Sequence, residues 1–147
     1  MIYKFDSFIE ENVLPKRHHI LELEFNASPC YGRCPSFSLK IVSNRDVEWI
    51  AKNDNRVNFQ EYTGAYESKV PPEQYKELIN LINYIDFENL DDDYEVSYTD
   101  SATGTLKIVY DNLKVKTISD YGMMGSRGLR KLYNILFNLR GKLEWKK

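Results

Sequence analysis

Cysteine and histidine are scarce in this chain, with two of each among 147 residues. Two cysteines cannot complete a tetrahedral zinc site by themselves. The two histidines, His18 and His19, are adjacent, which leaves general acid–base chemistry few obvious actors. No apolar run approaches the length that spans a bilayer. The N-terminal stretch MIYKFDSFIEENVLP has no basic segment followed by an apolar one, because Asp6, Glu10 and Glu11 interrupt it. A secretory signal is therefore not expected, and the expected compartment is cytoplasmic. An excess of one charge is missing too. Twenty Lys and Arg against 22 Asp and Glu leave a net charge of -2, which disfavours a dedicated nucleic-acid binder. No Ser-His-Asp set, complete metal site or nucleotide loop can be assembled.

What is present is the balance of a soluble globular chain: 42% hydrophobic, 29% charged, mean hydropathy -0.54. A chain of this length is one ordinary domain and buries roughly two-thirds of its unfolded surface, so it needs no disulfide scaffold. We expect a single domain over 1–147, with 1–17 an N-terminal extension.

Ser7 and Glu10 have the spacing of a capping box, and Pro15 would end the short helix it starts. Leu21, Leu23 and Phe25 alternate with Glu22 and Glu24, which predicts a half-buried strand over Ile20–Phe25. Ser28 to Pro35 holds two prolines and a glycine and reads as a tight loop. Phe37 to Val42 and Val47 to Ala51 form a hairpin across Ser43–Asp46. Val57 to Val70 predicts a fourth strand broken at Gly64. Pro71 and Pro72 open a helix whose face carries Tyr75, Leu78, Ile79, Ile82 and Ile85. Thr105–Tyr110 and Leu113–Ile118 form a second hairpin. Leu129, Leu132, Tyr133, Leu136 and Leu139 then give an amphipathic helix, which Gly141 would close. Ser38-Leu-Lys-Ile-Val42 recurs as Thr105-Leu-Lys-Ile-Val109, either by duplication or by chance. The sum is an α+β fold, a two-layer sandwich. Its mostly antiparallel sheet has about five to six strands, with two helices packed on one face.

Cys30-Tyr-Gly-Arg-Cys34-Pro35, followed by an alternating strand, resembles the domain-of-unknown-function 6438 family of bacterial proteins. Gly64-Ala-Tyr66, Tyr75 to Leu90, Thr99-Asp100 and Tyr110 to Leu132 match its later segments. The resemblance covers roughly residues 19 to 140. It implies no activity, and it does not carry a compartment over.

Several features invite a functional reading. Cys30 and Cys34 are one residue further apart than the redox Cys-x-x-Cys pair. In a reducing cytosol they would be thiols; they could also bridge, or act as a redox pair with Arg33 lowering a thiol pKa. Copper-handling thioredoxin-like proteins share the Cys-x-x-x-Cys-Pro spacing but follow it with a helix, whereas here a strand follows. His18 and His19 reach this loop only if the chain folds back. Asp86 to Asp100 carries seven carboxylates without EF-hand order and reads chiefly as a solvated acidic loop. The Gly122-x-x-Gly125-x-x-Gly128 loop precedes the last helix. Backbone N–H groups at Gly125 and Ser126, with Arg127, Arg130 and Lys131, could hold an anion, although Ser126 is also a plain N-cap. The basic C-terminus, with Tyr133 or Trp145 for stacking, could follow phosphates, but a solvated face is the simpler reading. Tyr62 and Tyr66 share a strand face and could bind a partner or pack half-buried.

The leading expectation is a small non-enzymatic binding or interaction module with no catalytic residues, no metal and no cofactor. Its partner is not named by the sequence; a protein or a second copy of the chain fits, no membrane is expected, and nucleic acid is disfavoured. The first alternative is a thiol-based redox protein or sensor using Cys30 and Cys34. The second is anion or nucleic-acid binding through the basic C-terminal helix.

Overall fold

A computed structural model of the chain describes residues 17–30, 32–97 and 101–147. The expected helix near Ser7 and the residue Asp100 lie outside the described residues. The first strand, β1 (Ile20–Ala27), runs two residues further than its alternation predicts. It pairs antiparallel with β2 (Ser36–Val42), which turns at Ser43–Arg45 into β3 (Asp46–Asn53). The predicted fourth strand is in fact three pieces. β4 (Arg56–Val57) and β5 (Gln60–Glu61) form a separate two-stranded ribbon, and only β6 (Gly64–Lys69) joins the main sheet. The cause is local. Asn58 and Phe59 take positive φ values of 51° and 66°, reversing the chain over two residues where composition alone reads continuous strand.

Helix α1 (Pro72–Tyr84) starts on the proline pair as expected. A single 3-10 turn at Phe87–Asn89 and the two-residue strand β7 (Asp93–Tyr94) then structure the acidic stretch. β8 (Thr103–Tyr110) and β9 (Lys114–Tyr121) form the second hairpin. Helix α2 (Arg127–Lys142) continues through Gly141, which does not close it. A Cβ at Gly141 would stand 3.2 Å from Val57 Cγ1, so this glycine makes room for the ribbon instead. Among the described residues, no helix is long and apolar enough to cross a membrane.

The sheet has seven strands in the order β6-β3-β2-β1-β8-β9-β7, antiparallel apart from β7, which adds one strand to the expected five or six. The two Leu-Lys-Ile-Val segments flank β1 symmetrically. Phe25 pairs with Leu39 on one side and Leu106 on the other, while Glu24 pairs with Lys40 and Lys107. One sheet face is apolar, carrying Leu23, Phe25, Phe37, Leu39, Ile41, Val47, Trp49, Leu106, Ile108 and Ile118, all buried. Both helices bury their apolar residues in this same cluster: Leu78, Leu81 and Ile82 from α1; Leu129, Leu132, Tyr133, Leu136 and Leu139 from α2. Full burial of each such side chain contributes about 1.5–3 kcal/mol before chain entropy is subtracted. Tyr62 and Tyr66 pack half-buried on Trp49, with ring centroids 4.9 and 5.4 Å away. Among the described residues, nothing packs over the other sheet face.

Candidate functional site

Helix α2 crosses the end of the sheet where β1 stops and β2 begins. Tyr133 stacks on Phe25 with ring centroids 5.5 Å apart, Phe137 meets Phe37 at 5.1 Å, and Arg140 lies over Phe37 at 4.4 Å. Arg140 also donates to Asn55 Oδ1, and burial lowers its pKa to about 10. Asn55, itself buried, donates to the carbonyls of Ser36 and Asn53 and so fixes the exit from β3. The sequence-predicted cysteine loop projects from this end.

Cys30 and Cys34 are bonded, with their Cα atoms 5.5 Å apart. Of the states the sequence left open, thiols as in a reducing cytosol or a bridge, the bridged one is present. The turn brings the two together because Gly32, at φ 147°, takes a conformation that L side chains rarely adopt. Ser28 ties the loop to β8, its N–H donating to Thr103 O and its Oγ accepting from Thr103 N–H. Arg33 reaches towards Asp54, 3.6 Å away, with its side chain 91% exposed.

The glycine loop lies at the same end, because Gly122 N–H donates to Ala102 O and Met123 packs on Gly104 beside Phe25. Its glycines answer to packing. A Cβ would meet Val96 at Gly122, Asp120 and Tyr94 at Gly125, and Ile85 at Gly128. The chain's own oxygens also take backbone donors in the loop and at the start of α2. Gly125 N–H donates to Asp120 Oδ2 at 3.0 Å, and Leu129 N–H to Ser126 Oγ at 3.1 Å. Asp120 was not among the residues singled out from sequence. It is fully buried and also accepts the Tyr133 hydroxyl at 2.7 Å, while its Oδ1 has no hydrogen-bond partner. Burial first, and then this bond, push the Tyr133 hydroxyl far above the usual tyrosine range. Arg127, Arg130 and Lys131 stand exposed at the start of α2. Arg140 and Lys147 instead lie against rings near its far end, so the basic residues do not form one stripe.

A family model described as Domain of unknown function (DUF6438) matches residues 21–140. The chain belongs to the DUF6438 family. A comparison with curated proteins returns no match. The DUF6438 segment encloses the disulfide loop and the glycine loop, and it ends at Arg140. His18 lies just before it.

At the opposite end of the sheet, His18 is 5% exposed. Its Nδ1 is 2.7 Å from Asp111 Oδ2 and its Nε2 is 3.3 Å from Glu88 Oε1. Its ring meets Phe87 and Tyr110 edge to face, and Tyr110 donates its hydroxyl to Glu88 Oε2 at 2.9 Å. The backbone N–H of His18 donates to Asn83 Oδ1, and that of His19 to Asp111 Oδ1. The His18 hydrogen bond, with the His19 N–H behind it, holds the Asp111 carboxyl below the usual carboxylate range. The cluster joins the start of β1, the end of α1 and the β8–β9 turn. Nothing in residue spacing announces it, since Asn83, Glu88 and Asp111 come from three separate elements. The histidines are thus remote from the cysteine loop.

Proposed function

We propose that this DUF6438 chain is a non-enzymatic binding module that meets its partner through the disulfide-bearing end of the sheet. The observation that carries this reading is Phe59. It is 94% exposed and sits at φ 66°, a conformation that costs a bulky residue energy without returning any packing. The ribbon that presents it springs from this end, through the Asn55 bond to Ser36. Met124, 48% exposed, and the Arg33 side chain belong to the glycine loop and the disulfide loop at this same end of the sheet. A loop closed by a disulfide loses little freedom on docking.

Phe59→Gly separates folding from binding. It relieves the turn, so stability holds or rises by about 0.5–1 kcal/mol. The immobilised wild-type chain serves as bait, and a captured protein is purified and titrated against both forms. Loss of binding to Phe59→Gly, with folding intact, supports the reading. A partner that binds both forms equally removes Phe59 from the contact and overturns it.

A second reading, reversible thiol chemistry, draws support from the bonded Cys30–Cys34 pair in a loop with Gly32 and Arg33 exposed. Intact mass after alkylation, with and without reductant, tests it. Redox cycling predicts a titratable mixture of blocked and unblocked species. A bridge that resists physiological dithiols would refute it.

A further inference from the structure

We propose that the open face of the sheet is an interface with a second copy of this chain, the two sheets stacking face to face about a two-fold axis. The open face carries an alternating charge row across its strands: Lys107 on β8, Glu24 on β1, Lys40 on β2 and Glu48 on β3, each directly paired with the next. Thr117 and Glu67 extend the row at either side. Among the described residues, Lys107, Glu24 and Glu48 enter no ion pair, while Lys40 leans diagonally to Glu22 at 3.7 Å.

The β1–β2 junction is the midline of the six strands from β6 to β9. A two-fold axis lying along that midline, in the plane between two copies, superposes the faces completely. It sets each Glu24 against Lys40 of the second copy and each Lys107 against Glu48 of the second copy. Thr117 then meets Glu67, so no like charges oppose. Asn26 meets Ser38, and Thr105 meets Ile50, a side chain 36% exposed. An isologous contact requires such self-complementarity, and a row antisymmetric about the sheet midline supplies it. At strand spacings of about 4.8 Å the face covers on the order of 600 Å² per copy. That is somewhat below a standard interface, and the charges must be desolvated, so the dimer is weak, with a Kd of about 10–100 µM.

Charge reversal with rescue tests this. Glu24→Lys places two lysine pairs across the axis, and Lys40→Glu places two glutamate pairs there. Sedimentation velocity across a concentration series should show each variant at least about 100-fold weaker in self-association. An equimolar mixture restores every complementary contact and should form heterodimers within about tenfold of the wild-type affinity. Far-UV circular dichroism checks folding. If either variant unfolds, Lys107→Glu and Glu48→Lys, at exposed positions, take their place. A wild-type chain that stays monomeric into the millimolar range overturns the proposal. So does a dimer indifferent to the single reversals, or a mixture of folded variants that does not associate.

Discussion

Removing one hydroxyl, by Tyr133→Phe, tests how the buried carboxyl of Asp120 is kept in place. The ring keeps its stacking on Phe25, so packing is unchanged. What disappears is the 2.7 Å bond to Asp120 Oδ2, between residues 3% and 0% exposed. Oδ1 already lacks a partner, so Gly125 N–H becomes the only donor to this group among the described residues. Leaving a buried acceptor short of a partner costs about 1–3 kcal/mol. For a chain of this size that corresponds to a Tm lower by about 3–10 °C. Urea unfolding followed by circular dichroism reads the change as a shift in midpoint at constant slope. Asp120→Leu should cost less in the Tyr133→Phe background than alone, because the lost bond is counted once. The pH dependence supplies a second check. The folded hydroxyl titrates well above 10, so its contribution is complete below pH 10 and is lost as pH rises beyond it. Tyr133→Phe should therefore flatten the alkaline limb of the stability curve. A stability change under about 0.5 kcal/mol would refute the reasoning and return Asp120 to an unimportant position.

Replacing both Cys30 and Cys34 by serine opens a very short loop, so the chain-entropy cost is only about 2 kcal/mol, readable in the same urea titration. A loss beyond about 4 kcal/mol would mean that the loop organises the sheet end rather than decorating it. Gly128→Ala gains helix propensity, but its Cβ would collide with Ile85 Cγ2. We expect a net loss of about 1–3 kcal/mol, and a more stable protein would contradict the packing. Asp111 is held below the usual carboxylate range, so its contribution is present above about pH 4 and lost as pH falls through its folded value. Asp111→Asn should flatten the acid limb, and an unchanged acid titration would count against the His18 contact.

Strand alternation and helix periodicity were readable because the sheet has one wet face and one dry face. That contrast marks β1, β2, β3, β8 and both helices. The Arg56–Glu61 ribbon was not readable, since Asn58-Phe59 lacks the glycine that normally signals a two-residue reversal. The cysteine loop was visible as a motif, although its bonded state follows from backbone conformation. The glycine spacing before α2 was visible as well, but its cause is side chains, among them Val96, Asp120, Tyr94 and Ile85, that converge only in the folded chain. Asp120 reads in sequence as an ordinary strand-end aspartate. His18 reads only as one of two histidines before a strand, and its carboxylate neighbours arrive from distant segments.

The central position of β1 also bears on how the chain is made. Its β2 partner follows within a few residues, so that hairpin can zip early. Its other neighbour begins only at Thr103. At ribosomal speeds of about 5–20 residues per second, the newborn hairpin waits on the order of 4–15 s with one side of its central strand unpaired. Closing that gap joins segments far apart in the chain, a slow kind of nucleation. During the wait Glu22 and Glu24, placed on the strand itself, act as gatekeepers against pairing with a neighbouring nascent chain.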